Sequence, residues 1–378
     1  MRKVIISVGI VVFAWILYAY TGRSVSKTDP ELSITHSEWI NTNSACNRNI
    51  VGMQPYMRAA DYHSQEQFHK KLRGYFQAAA DAGYFREHTV VVLPEYLGTW
   101  LVVSGEKRTA VEAQTISAAM LHLVLSNPFQ FLIALPKSLH EDDVVAAAIF
   151  RMKSRTMAGQ YAAAFTALAK EFNVTISAGS MVLPDPSVSH EHTIEVNTSG
   201  PLYNTSFMVH ADGRIDPQLV RKSFPITSEK PFVSSYPIDA LPSYDLSVGR
   251  TAVLVCADSW YPESYEQLER LQPELVLVNS YCAGNSTMSS LWRGYDGSEM
   301  PEDVDANDIG RITEREAWIK YALPGRLKAL PQMIGVNVFL RGELWDLGTD
   351  GDPFFIQGGE LKAIPSSDLG GIWSLCID

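Results

Sequence analysis

Six apolar runs, rich in β-branched residues, constrain this chain more than any other feature. They are HTVVVLPE (88–95), NVTISAGSMVLP (173–184), TSFMVHADG (205–213), TAVLVCAD (251–258), LVLVNSY (275–281) and MIGVNVF (333–339). Strands this apolar must be covered on both faces. The first two follow alanine-rich segments with helical spacing, FHKKLRGYFQAAADAG (68–83) and GQYAAAFTALAKEF (159–172). Helices on one face and a second sheet on the other would satisfy the burial, so the pattern predicts a layered α/β domain over most of residues 50–375. An apolar fraction of 46% in 378 residues supplies the core for it. No internal repeat or low-complexity tract interrupts the pattern.

Ahead of this domain, VIISVGIVVFAWILYAY (4–20) carries no charge. As a helix it would reach about 25 Å, enough to cross a bilayer with some thinning. Residues 1–22 read as an uncleaved membrane anchor; a cleaved signal peptide is the competing reading, disfavoured by the length of the run and the poor cleavage site at 19–23. Trp15, Tyr18 and Tyr20 gather at the downstream end, as at a membrane interface. Arg2 and Lys3 nearly balance Arg23 and Lys27, so the expected topology rests on export of the large following domain, outside the cytoplasm as a periplasmic or extracellular protein, or secreted if the segment is cleaved. Residues 23–49, polar and without period, read as a stalk. Within an insertion at 107–150, SAAMLHLVLSNPFQFLIALP (117–136) is strongly apolar but broken at Asn127-Pro128, which fits a core helix pair, a hydrophobic lid or a surface lying on the membrane. SEMPEDVDANDIG (298–310), with five acids and no base, reads as a solvated loop.

A net charge of −11 argues against extended nucleic-acid contact. Cys46, Cys256, Cys282 and Cys376 are too few and scattered for a disulfide framework, and no CxxC or HExxH motif announces a metal. His190-Glu191-His192 lies in a polar, proline-flanked stretch without a partner at ligand spacing, and reads as loop.

Three strand ends carry reactive groups: Glu95 closes VVVLPE, Lys222 sits in LVRKSFPITSE, and Cys256 closes VLVC. A sheet rim holds such side chains rigidly around a pocket. The chemistry suits attack on a carbonyl or nitrile carbon. Glu95 would take the thiol proton, and Lys222 with the backbone N–H of Ala257 would hold the developing oxyanion.

In these contexts the chain resembles the nitrilase superfamily of carbon-nitrogen hydrolases. The matching stretches are LPE, RKSFP and Cys-x-Asp-x-x-aromatic-Pro-Glu over 256–263, with FNVTISAGS, YNTSFMVHADG and LVLVNS in support, all in the family's order over roughly residues 50–365. The resemblance implies a Glu95–Lys222–Cys256 triad, no metal or organic cofactor, and a four-layer-forming αββα sandwich that commonly dimerises through its helical faces. It assigns Glu229, seven positions after Lys222, to positioning that lysine or relaying a proton. True nitrilases usually follow the cysteine with Trp-Glu; Ala257-Asp258 here points to amides over nitriles. Tyr96, Asp258, Trp260 and Cys282 are candidate pocket residues.

Each residue has a plainer reading. Cys256 alone would be inert core, Glu95 a capping carboxylate and Lys222 a surface charge; their joint occurrence in family-like flanks favours chemistry. Glu263 reads as a first-turn acid of a helix opened by Pro262, Cys282 as core more readily than pocket, and Asn204 as a buried strand-entry residue despite its sequon. The expected function is an anchored hydrolase of non-peptide C–N bonds acting on a small amide as a homodimer or higher homo-oligomer, with lipid contact through the N-terminal helix and no nucleic acid. The alternatives are an acyltransferase to an amine of a lipid or lipoprotein, and an inactive binding protein on the same fold.

Overall fold

All six apolar runs become inner strands of two sheets in the computed structural model, which describes residues 2–24, 29–41 and 45–377. The first sheet runs Ile34–Trp39, Gly370–Cys376, Arg48–Gln54, His88–Val92, Thr175–Pro184, Leu202–Val209, Val220–Arg221; its central three strands, 48–54, 88–92 and 175–184, are parallel. The second runs Ser243–Leu246, Gly249–Val255, Leu275–Ser280, Ile334–Phe339, Phe354–Gln357, Glu360–Leu361, with 249–255, 275–280 and 334–339 parallel.

Alternation along each strand sorts the side chains into two cores. Val51, Val91, Ile176 and Val209 pack with Phe68, Leu72 and Phe76 of helix Gln65–Asp81 and Phe165 of helix Val144–Phe172. Their neighbours Ile50, Val90, Val92 and Met208 pack with the second sheet, in a core shared with Leu268, Trp318 and Leu323 from helices Pro262–Leu271, Glu314–Tyr321 and Leu323–Arg326. The order is helix, sheet, sheet, helix. The two sheets approach so closely at Gly52 that a Cβ there would lie 2.7 Å from the Phe355 ring.

Several expectations are corrected. The segment 23–49 is not all stalk: Ile34–Trp39 is an edge strand parallel to Gly370–Cys376. Residues 25–28 and 42–44, including Lys27, lie outside the described residues. Two of the scattered cysteines do pair, Cys46 with Cys376 across 330 residues. The cause is strand pairing, since 48–54 runs antiparallel to 370–376 and brings the residue before one strand beside the end of the other. The second predicted helix starts earlier, at Val144, where the Asp143 side chain accepts from the Ala146 N–H at 2.9 Å and caps it. The acidic loop is not merely solvated, because Asp303 pairs with Arg326 and Asp308 with Lys320. His192 Nδ1 contacts the Ile215 carbonyl at 3.0 Å, and no group of three metal-ligating side chains occurs among the described residues. Glu263 does lie in the first turn of its helix.

The apolar insertion forms two helices, Ile116–Ser126 and Pro128–Ala134, bent by 100° where Pro128 breaks the run. Beside them lies the helix Arg2–Tyr20. Trp15 Nε1 donates to the Leu125 carbonyl at 2.8 Å, and Arg23 donates to the carbonyls of Gly105 and Ser126 and pairs with Glu106. Among the described residues no single helix is long and apolar enough to cross a membrane; the bent pair passes on length and composition together.

Candidate active site

Glu95 lies three residues beyond the C-terminal end of the parallel strand His88–Val92, Cys256 directly beyond that of Gly249–Val255, and Lys222 just past Val220–Arg221. The carboxyl ends of parallel strands are where α/β sheets place ligands. Both reactive ends turn through left-handed backbone: φ is +61° at Tyr96, next to Glu95, and +48° at Cys256 itself. For residues with a Cβ this conformation costs on the order of 1–3 kcal/mol, and it persists only where surrounding contacts hold it.

Those contacts are specific. Gly179, at φ +78°, lies so near the chain before Glu95 that a Cβ would sit 2.2 Å from the Pro94 carbonyl oxygen. The Tyr96 N–H donates to Ser180 Oγ at 3.0 Å, and Asn279 from the second sheet donates to the Leu93 carbonyl at 2.6 Å. Asp258 spans the other two elements. Its carboxylate accepts the N–H groups of Ser223 and Phe224 at 2.9 and 2.8 Å and that of Val255 at 3.3 Å, tying the lysine segment to the cysteine turn.

Inside this frame Lys222 Nζ meets Glu95 Oε1 at 2.8 Å and Glu229 Oε2 at 2.6 Å, all three side chains being almost wholly buried. Asn204 donates one amide to both carboxylates, at 2.8 Å to Glu95 Oε1 and 3.0 Å to Glu229 Oε1. Glu229 also accepts the Tyr96 hydroxyl at 2.7 Å and the Ile226 N–H at 3.0 Å. The two carboxylates therefore diverge. Burial, opposed by Lys222 and reinforced by the charge of Glu229, pushes Glu95 up to about 7. Burial acts upward on Glu229 too, but Lys222, Tyr96 and the Ile226 amide outweigh it and hold its carboxyl below the usual range. Burial would also depress Lys222, yet the two carboxylates keep its ammonium well above the ordinary lysine value. Neighbouring carboxyls driven apart in this way can divide the work, one moving protons and one holding charge.

Cys256 is 7% exposed, and its thiol lies 3.7 Å from the Tyr281 carbonyl. Burial first, then the charge of Glu95, pushes the thiol well above its usual range, so the resting group is a thiol that needs a base. The thiol acts in turn on the Glu95 carboxylate. Both Lys222 and Asn204 contact only Oε1 of Glu95, which leaves Oε2 free of them to accept a proton. Ala257 is the second residue of the 3₁₀ segment Cys256–Trp260, where the first N–H groups have no acceptor within the helix.

Next to the thiol is a cavity of about 310 Å³ lined by Cys256, Ala257, Trp260, Tyr281 and Cys282 among others. Trp260 and Cys282 thus line this cavity, and Cys282 is also packed against the second core. Tyr96 and Asp258 are not pocket residues: one braces Glu229 and the other, pushed up to about 7 by burial against the pull of Lys222, braces the loops. Asp258 therefore lends less weight to amides over nitriles than its sequence position suggests. Sequence reasoning missed Asn204 as a bridge between carboxylates, although a fully buried asparagine in an apolar strand marks a polar partner. It also missed the far cavity wall, Trp292, Tyr295, Glu314 and Trp318; the density of aromatics over 281–321 was the available signal.

The model of the carbon-nitrogen hydrolase family matches residues 50–295. Among solved structures, a cysteine-to-serine mutant of the Nesterenkonia AN1 amidase from the nitrilase superfamily superposes with a TM-score of 0.50 at 13% identity, covering 88% of this chain and 93% of that one. A glutamate-to-glutamine mutant of the same amidase, with the acetamide moiety of fluoroacetamide added covalently at its active-site cysteine, gives 0.50 at 15% identity, with 89% and 92% covered. A carbon-nitrogen hydrolase from Helicobacter pylori G27 gives 0.51 at 17%, with 87% and 89% covered. At these identities the likeness is one of fold. None of the curated proteins compared with the chain matches it.

Proposed function

This chain belongs to the carbon-nitrogen hydrolase family, and from that premise we propose that it hydrolyses a small amide through a thioester on Cys256. Glu95 Oε2 takes the thiol proton as sulfur attacks the carbonyl carbon. Lys222 Nζ and the Ala257 N–H hold the negative oxygen, a term commonly worth about 3–4 kcal/mol per donor. Collapse of the tetrahedral state breaks the C–N bond, and the amine leaves with the proton from Glu95. A water then gives its proton to Glu95 and adds to the thioester; Glu95 returns the proton to sulfur and the acid departs.

The observation that carries the proposal is the asymmetry of the two carboxylates on Lys222. Glu229 is saturated by four donors, while Glu95 keeps one oxygen unclaimed beside a thiol. The Nesterenkonia amidase, with its covalent adduct on cysteine, supports the same chemistry by analogy of fold. Intact-mass analysis after exposure to fluoroacetamide tests it: an acetamide adduct is expected on the wild type and none on Cys256→Ala. Equal labelling of both would sink the proposal.

The proposal extends to location. Leu121, Phe129, Leu132 and Ile133 of the bent helices are each more than half exposed, as are Ile10, Phe13 and Leu17 of the N-terminal helix packed beside them. Apolar side chains presented together in this way fit a bilayer. The Cys46–Cys376 bond fits an oxidising compartment, hence a domain outside the cytoplasm. This apolar face also favours a second reading, transfer of the acyl group to a lipid amine. Release of ammonia without acyl transfer to an added amine in lipid vesicles would decide for hydrolysis. Association through the helical faces into a homodimer is part of the same proposal, to be read by sedimentation.

A further inference from the structure

The wall of the cavity that adjoins Cys256 is unusual in composition. Trp260, Trp292, Tyr295 and Trp318 line it, packed edge to face at Trp260–Tyr295 (5.5 Å) and Trp260–Trp318 (4.8 Å) and stacked at Trp260–Trp292 (6.2 Å). Two carboxylates, Glu314 and Asp296, share this wall, and no lysine or arginine does. Asp296 accepts the Thr227 N–H at 3.2 Å. Glu314 has no basic side chain within ion-pair distance among the described residues. Of the basic groups nearby in sequence, Arg315 pairs with Asp352, Lys320 with Asp308 and Arg326 with Asp303, and Arg326 also donates to the Trp260 carbonyl at 3.0 Å.

A partly buried carboxylate without a cation is unfavourable, and burial, opposed by a hydrogen bond from the Trp318 side chain and aided by the charge of Asp296, pushes Glu314 up to about 7. Aromatic faces around a carboxylate form the environment that favours an ammonium group over water, through the ring quadrupoles and the charge together. A neutral acyl chain would gain the apolar contact but would leave Glu314 with the Trp318 hydrogen bond and no cation. An anionic one would add repulsion from both carboxylates.

We propose that the amide turned over at Cys256 carries a cationic nitrogen, an ammonium or alkylated ammonium group, held in the Trp260–Trp292–Tyr295–Trp318 cage against Glu314. The inference rests on the hydrolase reading for the reacting end of the substrate, but the cage itself is independent of turnover.

The test uses three amides of matched length: trimethylammonium butyramide, its tert-butyl isostere, and glutaric acid monoamide. In the wild type kcat/KM is expected to favour the cation over the isostere by about ten-fold or more, with the anion poorest. Glu314→Gln is expected to remove most of that ratio through KM. In parallel, calorimetric titration of the Cys256→Ala protein, which retains Glu314 and cannot turn over, is expected to show tighter binding of the cation than of the isostere. Hydrolysis without cation preference, or equal binding of cation and isostere by Cys256→Ala, overturns the cage. Cation-selective binding with no hydrolysis of any amide keeps the cage and overturns the hydrolase reading.

Discussion

Lys71 and Lys222 are both fully buried lysines paired with carboxylates, yet their surroundings shift them in opposite directions. Lys71, on the helix Gln65–Asp81, has one ion-pair partner, Asp61 at 3.2 Å, and a contact to the Glu31 carbonyl. Burial outweighs that partner, lowering the lysine and raising Asp61, so both members lean toward their neutral forms. Lys222 has two carboxylates, and burial does not outweigh them. Partner number decides the direction of the shift. The Lys71 pair lies outside the lining of the cavity beside Cys256, whereas the Lys222 cluster stands next to that thiol and leaves one carboxylate oxygen of Glu95 free of Lys222 and Asn204.

The largest effect that could break this contrast is on rate. Glu95→Gln is expected to lower kcat/KM on a small amide by about 10²- to 10⁴-fold while urea denaturation shows a folded protein. An equal loss from Lys71→Met, with the fold intact, would mean that the two clusters do not differ in kind. Next comes stability. Lys71→Met alone strands Asp61 and is expected to cost about 3–5 kcal/mol, whereas the double variant Lys71→Met/Asp61→Leu should recover most of that loss and keep activity. Lys222→Met strands two carboxylates and should cost at least as much, with activity gone.

A smaller stability effect, unrelated to either lysine, comes from Cys46→Ser. Loss of the bond to Cys376 should cost about 2–4 kcal/mol in denaturation and leave kcat/KM at 25 °C unchanged. The smallest effect is on pH dependence. Because Glu95 must be ionised to act and is pushed up to about 7, kcat/KM should rise with pH around that midpoint. Glu229→Gln removes a charge that raises Glu95 and should move the midpoint to more acidic pH, while Lys71→Met should not move it. For stability the sign is opposite: a folded value above the ordinary 4.5 means Glu95 contributes stability at low pH that is lost as pH rises through about 7. A denaturation series across that range, wild type against Glu95→Gln, reads it directly.

The inner strands and the three reactive residues were legible because each signal is local. An apolar run such as VLVC states its own burial on both faces, and the residue that ends it must emerge at a sheet rim. Asn204 was legible as buried but not as a bridge, since its partners Glu95 and Glu229 are 109 and 25 residues away. Asp258 was misread for the same reason. As a neighbour of Cys256 it looked like a pocket residue, but its carboxylate turns toward the backbone N–H groups of Ser223 and Phe224, which donate to it. Cys46 and Cys376 looked unrelated because only the antiparallel pairing of 48–54 with 370–376 joins them.

Periodicity therefore determined the layered fold, and strand-end chemistry read together with the family-like flanks placed Glu95, Lys222 and Cys256 at one sheet rim, because backbone propensity and burial act over a few residues. The tertiary structure alone decided which carboxylate of the pair on Lys222 stays free, and that a carboxylate without a base sits among four aromatic rings near Cys256. Those outcomes depend on desolvation and on charges brought together from distant segments. Their strength varies with distance and exposure, which no local pattern of residues records.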